Sequence, residues 1–150
     1  MMTNKEEKWH IRFMRIADEI ATWSHDPSTK VGCVLAKDKK IISTGYNGFP
    51  KNIGDDWERL DNRDFKYEVT IHAETNAIIT AALHGISTEG AAAYTTFHPC
   101  SRCAAALINA GVTEVYVSAR GKIPERWLDN FLLAAKLFEE AGVRLQMIDY

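Results

Sequence analysis

Hydrophobic positions fall into two periods that alternate along the chain. Trp9, Phe13, Ile16, Ile20 and Trp23 recur at spacings of 4, 3, 4 and 3, so they share one stripe of a helix facing a core. Ahead of them, Thr3-Asn4-Lys5-Glu6 has the spacing of a capping box. Val31–Ala36 and Lys40–Tyr46 read as two strands, and the polar Lys37-Asp38-Lys39 between them predicts a hairpin. Gly45 and Gly48 bracket Tyr46-Asn47, and Pro50 stops any continuation. From Lys51 to Thr70 the chain is polar and is expected to form a long surface loop. Ala73–His84 then returns to the helical period, with Ala77, Ile78, Ala81 and Ala82 inward and Gly85 as its stop. Strand Ala91–Phe97, helix Cys100–Ala110 opened by Pro99, strand Glu114–Ser118, helix Leu128–Ala141 and strand Val143–Ile148 complete the pattern. The alternation predicts a single α/β domain over residues 1–150, a three-layer sandwich with helices on both faces of a five-stranded mixed sheet.

Composition narrows the classes of function. With 46% hydrophobic and 25% charged residues, the chain is neither disordered nor of low complexity. No apolar run approaches the roughly 18 residues of a membrane span, and MMTNKEEKWHIRF lacks the apolar run of a signal peptide. A soluble, cytoplasmic protein with no membrane partner is expected, or one in the host cytoplasm if viral. Eighteen basic against twenty acidic side chains give a charge of −2, which argues against bulk binding to nucleic acid. Three cysteines cannot make a disulfide framework and need another explanation.

Cys33, within the apolar run Val31–Leu35, reads as a small buried hydrophobe. The other two lie in Pro99-Cys100-Ser101-Arg102-Cys103 at a helix start, where two thiolates three residues apart project to one side. His72, opening another helix in His72-Ala73-Glu74, can complete a nitrogen/sulfur set that favours zinc. Three protein ligands leave a fourth tetrahedral position for water, the mark of a catalytic rather than a structural site. Glu74 would stand beside that water as a proton carrier. A redox pair is disfavoured because the cysteines follow the third strand, not the first. A closed structural zinc lacks a fourth ligand at suitable spacing. His98 directly precedes Pro99, so its side chain should point away from the metal, and His10, His25 and His84 read as surface or packing residues.

His-x-Glu with Pro-Cys-x-x-Cys is the signature of the zinc nucleobase and nucleotide deaminases. The chain resembles the deoxycytidylate (dCMP) deaminases more closely. The resemblance lies in Phe13-Met14-x-Ile16-Ala17, Asp26-Pro27-x-x-x-x-Val31-Gly32, Gly45-Tyr46-Asn47-Gly48-x-Pro50 and His72-Ala73-Glu74-x-Asn76-Ala77-Ile78, and it weakens after Ser118. It implies a cytidine-deaminase-like fold and hydrolysis of dCMP to dUMP and ammonia, supplying dUMP for thymidylate synthesis. Zinc would provide hydroxide for C4, and Glu74 would take the water's proton, pass it to N3 and later protonate the leaving amine.

The resemblance also implies that the Ala73 N–H and the His98 carbonyl touch the base and that Asn47 holds the sugar. Some relatives carry a second zinc bound through the segment before His-Ala-Glu. Residues 51–71 here hold neither Cys nor His, so one zinc per chain is expected. Arg102, Ser118, Arg120 and Lys122 are candidates for the substrate phosphate, although Ser118–Arg126 departs from the family pattern. By the same resemblance, dCTP activates and dTTP inhibits, each with Mg²⁺, between subunits of a homohexamer. Gly45, Tyr46, Asn47, Gly48 and Lys30, with Arg15, are the candidates for that effector site. The alternatives are a tRNA adenosine deaminase, disfavoured by the absence of a basic C-terminal helix, a riboflavin-pathway deaminase, and a silent zinc or nucleotide-binding module, in which Glu74 would have no use.

Overall fold

In the computed structural model, which describes residues 3–150, the capping box closes as spelled. The Glu6 N–H donates to Thr3 Oγ1, and the Glu6 carboxylate accepts from the Thr3 N–H at 3.0 Å. Helix α1 (Asn4–Ala21) follows, with Phe13, Met14, Ala17, Ile20 and Ala21 buried. The expected stripe is corrected at two positions: Ile16 and Trp23 are exposed. The contact is made one residue to the side, by Met14 and Ala17, both fully buried, and Gly32 of the sheet lets the Ala17 backbone come close.

Strands β1 (Gly32–Lys37) and β2 (Lys40–Tyr46) form the hairpin. Its two-residue turn places Asp38 at φ 52° and Lys39 at φ 61°, the left-handed pair that matches strand twist. The sheet order is β2-β1-β3-β4-β5, with β3 (Ala92–Thr95), β4 (Glu114–Ser118) and β5 (Arg144–Ile148) mutually parallel and β1 antiparallel to both its neighbours.

The expected loop between Lys51 and Thr70 is corrected: it contains two short helices, α2 (Trp57–Asp61) and α3 (Arg63–Val69). Asp56 and Asn62 cap them by accepting from the Arg59 and Phe65 N–H groups. Lys66 of α3 is buried and reaches Asp26 Oδ1 at 3.3 Å, pinning the segment to the turn before β1. Helix α4 (Ala73–Leu83) has Ala73, Glu74, Ala77 and Ala81 buried, whereas Ala82, expected inward, is exposed. Helix α5 (Ser101–Asn109) starts one residue later than expected, with Cys100 rather than Pro99 at its boundary. Helix α6 (Leu128–Glu140) completes the layer.

Helix α1 covers one face of the sheet, against Val34, Ala36, Tyr94, Tyr116 and Ile148. Helices α4, α5 and α6 cover the other, against Cys33, Leu35, Ala93, Val115 and Val117. The three-layer sandwich is therefore as expected. Side chains such as Met14, Leu35, Leu107 and Phe138 are fully buried, each contributing about 1.5–3 kcal/mol by leaving water.

The pairings Cys33↔Thr95 and Gly32↔Tyr46 gather the start of β1, the end of β2 and the end of β3 at one edge of the sheet. Gly45 lets α4 settle there: a Cβ would stand 2.3 Å from the Ala73 carbonyl oxygen and 2.4 Å from the Ala77 nitrogen. Both are backbone atoms and cannot swing aside. Gly45→Ala is accordingly expected to cost about 3 kcal/mol, a fall of roughly 6–12 °C in the melting temperature at this chain length. Calorimetry checks it; an unchanged melting temperature would show that α4 is free to shift.

Candidate metal centre

Residues far apart in the chain meet where α4 and α5 begin. His72 is the N-cap of α4, Cys100 the N-cap of α5, and Cys103 lies one turn into α5. The His72 Nδ1 is 3.5 Å from Cys100 Sγ and 3.4 Å from Cys103 Sγ. All three ligand atoms lie within 4.8 Å of one another, and no other such group of His, Cys or carboxylates occurs among the described residues. Tetrahedral zinc, with Zn–S of about 2.3 Å and Zn–N of about 2.0–2.1 Å, separates a sulfur from a nitrogen ligand by about 3.6 Å. The observed spacings and the donor set fit that ion.

Burial grades across the cluster, with His72 exposed, Cys100 intermediate and Cys103 buried. The Cys100 thiolate is favoured, its pKa held down to about 4 by the Cys103 side chain, His72 and the Cys103 N–H. Cys103 is pushed up, first by sharing its proton with Cys100 and then by burial. Hydrogen bonding to Cys100 raises His72, opposed by its desolvation. Thr75 Oγ1 lies 3.7 Å from Cys103 Sγ.

Glu74, 4% exposed, is close enough to the cluster for His72, Cys100 and Cys103 to act on its carboxyl. Burial raises its carboxyl above the usual carboxylate range, partly offset by its own backbone N–H and the charge of His72. Burial thus favours its protonated form more than solvent would. Its Oε1 is 3.2 Å from Thr95 Oγ1 of β3. Ala73, at the first position of α4, is fully buried, and His72 supplies no side-chain cap to the helix N-terminus.

The Asn47 side chain, nearly buried, donates to the Thr29 carbonyl at 2.8 Å and accepts from the Val31 N–H at 2.8 Å. It thereby clamps the end of β2 to the approach to β1. Gly48 exchanges two backbone hydrogen bonds with Ile71, the residue before His72. Beside it, His25, Asp26, Tyr46, Asn47, Gly48, Phe49, Asp55, Leu60 and Thr70 line a cleft of about 110 Å³. The Thr70 hydroxyl is buried there with no partner among the described residues. Tyr46 is half exposed against Trp23, and Lys30 bonds the Ser24 carbonyl.

The His98 ring stacks on Phe131 at 4.9 Å, with Nδ1 2.9 Å from the Pro99 carbonyl, so it is turned away from the ligand set. Arg102 is exposed on the first turn of α5, next to Cys103. Ser118 is buried and accepts from the Arg120 N–H. The Arg120 side chain donates to the Tyr150 carbonyl and lies 3.6 Å from Asp18, on the α1 side of the sheet. Lys122 is exposed in the following loop. Cys33 is a core residue, its thiol pushed well up by burial. His10 packs against Tyr94 and Tyr116, His25 pairs with Asp55, and His84 bonds the Thr80 carbonyl.

The sequence assigns no role to Thr95, Thr75, Lys66 or Asn76, whose amide donates to the Tyr46 carbonyl at 2.8 Å. Two of them leave a signal: Asn76 lies in the His-Ala-Glu-x-Asn motif, and Thr95 puts a hydroxyl at the inward period of β3 after Ala93.

The family described as the cytidine and deoxycytidylate deaminase zinc-binding region matches residues 7–119, and the chain belongs to it. Its relatives place it more narrowly beside deoxycytidylate deaminases. A human deoxycytidylate deaminase is 36% identical over 91% of this chain and 77% of its own. An uncharacterized deaminase of Aliivibrio fischeri is 37% identical over 92% of both chains. The crystal structure of dCMP deaminase from cyanophage S-TIM5 in complex with dCMP and dUMP shares the fold, with TM-score 0.77 and 24% identity over 98% of this chain and 99% of that one.

Proposed function

We propose that the chain hydrolyses dCMP to dUMP and ammonia, with one zinc held by His72, Cys100 and Cys103. The observation that carries the reading is the meeting of these three ligands beside a buried Glu74 at the starts of two helices. Zinc bound there would supply the Lewis acidity that brings water within reach of deprotonation near neutral pH. Glu74 takes one proton of that water and delivers it to N3 of the cytosine, then takes the remaining proton from the hydroxyl added at C4 and gives it to the departing amine, so the carboxylate ends as it began. The Ala73 N–H, uncapped at the helix start, is available to O2 of the base, and the His98 carbonyl to its amino group. Asn47 keeps a second N–H and lone pair beyond its two backbone bonds, enough to meet the sugar.

For the 5′-phosphate, Arg102 has the best standing, because it projects from α5 beside the ligand pair. Ser118 and Arg120 would join only after Arg120 releases the Tyr150 carbonyl. The cleft at Tyr46, Asn47 and Gly48, with Lys30 nearby, is the place for a Mg²⁺-bound triphosphate, dCTP as activator and dTTP as inhibitor, in a homohexamer. Gly45 contributes there by packing on α4. Among the described residues no helix is long and apolar enough to cross a membrane. Ligation through two reduced cysteines suits the cytoplasm.

The test is deamination of dCMP followed by ultraviolet absorbance, alone and with dCTP–Mg²⁺ or dTTP–Mg²⁺. Turnover of dCMP in preference to deoxycytidine and to tRNA adenosine is expected, raised by dCTP and lowered by dTTP. No turnover of dCMP by zinc-loaded protein, even with dCTP, would overturn the substrate assignment; turnover indifferent to both triphosphates would overturn the regulatory part alone.

A further inference from the structure

We propose that Thr95 is a positioning residue for Glu74, its hydroxyl holding carboxyl oxygen Oε1 against β3 while the other oxygen works at the metal cluster. The proposal rests on the reading of Glu74 as proton carrier. Thr95 faces the layer formed by α4, α5 and α6, a face otherwise lined by Cys33, Leu35, Ala93, Val115 and Val117. It has no exposed surface. A hydroxyl in such a place is costly unless bonded, by about 1–3 kcal/mol, and Thr95 has two partners. Its Oγ1 lies 3.2 Å from Glu74 Oε1 and 3.0 Å from the Phe97 carbonyl oxygen.

The 3.2 Å contact ties the carboxyl of α4 to the end of β3, and the 3.0 Å contact ties the same hydroxyl to the Phe97 carbonyl, three residues before the ligand Cys100. One buried hydroxyl thus links Glu74 to the segment that leads into the ligand pair. Glutamate's last torsion is broad and roughly two-fold, so without this bond the carboxyl has no partner on β3 to fix it.

Thr95→Val keeps the shape and removes the hydroxyl. It is expected to lower kcat for dCMP by about tenfold to a hundredfold, the range expected when a reacting group is misplaced. KM should stay within about twofold, since the bond bears on the reacting oxygen rather than on substrate affinity. Thr95→Ser should retain kcat within about threefold. Zinc content and melting temperature are measured on every variant, and Thr95→Ala serves as a second hydroxyl-free variant should the valine not accept zinc. Glu74→Gln is run in parallel. Loss of turnover in Glu74→Gln with wild-type kcat in Thr95→Val would overturn the positioning role and leave the proton carrier standing. Full turnover in Glu74→Gln would overturn the proton carrier and this proposal with it. Equal losses in the serine and valine variants would also overturn it, because the methyl packing rather than the hydroxyl would then matter.

Discussion

Glu74→Gln is expected to lower turnover of dCMP by at least about 10³-fold, some 4 kcal/mol of barrier, while zinc content stays at one per chain. The amide has the shape of the carboxyl and can still accept from Thr95, so the fold around it is kept. It cannot take a proton from water or return one to N3 or the leaving amine, and single general acid–base contributions of 10²–10⁴ are lost together. Glu74 is nearly buried, and burial works against its charged form. Replacing it by a neutral isostere therefore removes a desolvation cost, and the melting temperature should be no lower than that of wild type. Metal analysis, absorbance kinetics and calorimetry on the same preparation check all three statements. A variant that loses zinc along with turnover would move Glu74 from the chemistry to the scaffold of the site.

Cys103→Ala should abolish both zinc binding and turnover. Two ligands of a three-ligand set remain, and Cys103 is the buried one, packed between α5 and the first turn of α4. Zinc content is expected below about 0.1 per chain after gel filtration, with activity at background. Wild-type protein stripped by a chelator should lose activity and regain it with one equivalent of zinc, but not with magnesium, whose preference is for oxygen ligands. Because bound metal stabilises the folded state by mass action, the stripped protein should melt several degrees lower. Zinc retained at full stoichiometry by Cys103→Ala would show that the ligand set is not His72, Cys100 and Cys103.

The same residues show what was legible in the chain and what was not. Local signals act over a few positions and carry through. Thr3 and Glu6 cap α1 as spelled, the strand order holds, and His72, Cys100 and Cys103 each sit at a helix start that their own neighbours define. The segment from Lys51 to Thr70 failed as a loop. Its helices have no apolar stripe to announce them and are held by the caps at Asp56 and Asn62 and by the bond from Lys66 to Asp26, a contact 40 residues away along the chain. Ile16, Trp23 and Ala82 lie just off the buried stripes, because periodicity fixes a stripe only to within about one residue. Which edge of the stripe is buried depends on where the facing sheet lies.

The order of the five strands and of the helices packed on them, the class of fold and the chemistry of the donor set all follow from short-range pattern and residue type. Tertiary packing set the rest: the Asn47 amide clamps two strands, Arg120 is turned to Tyr150 and Asp18, and Thr95 lies against Glu74. Each is a pairing of polar groups brought together by sheet register and helix docking, and no local pattern specifies which distant partner a buried donor will find.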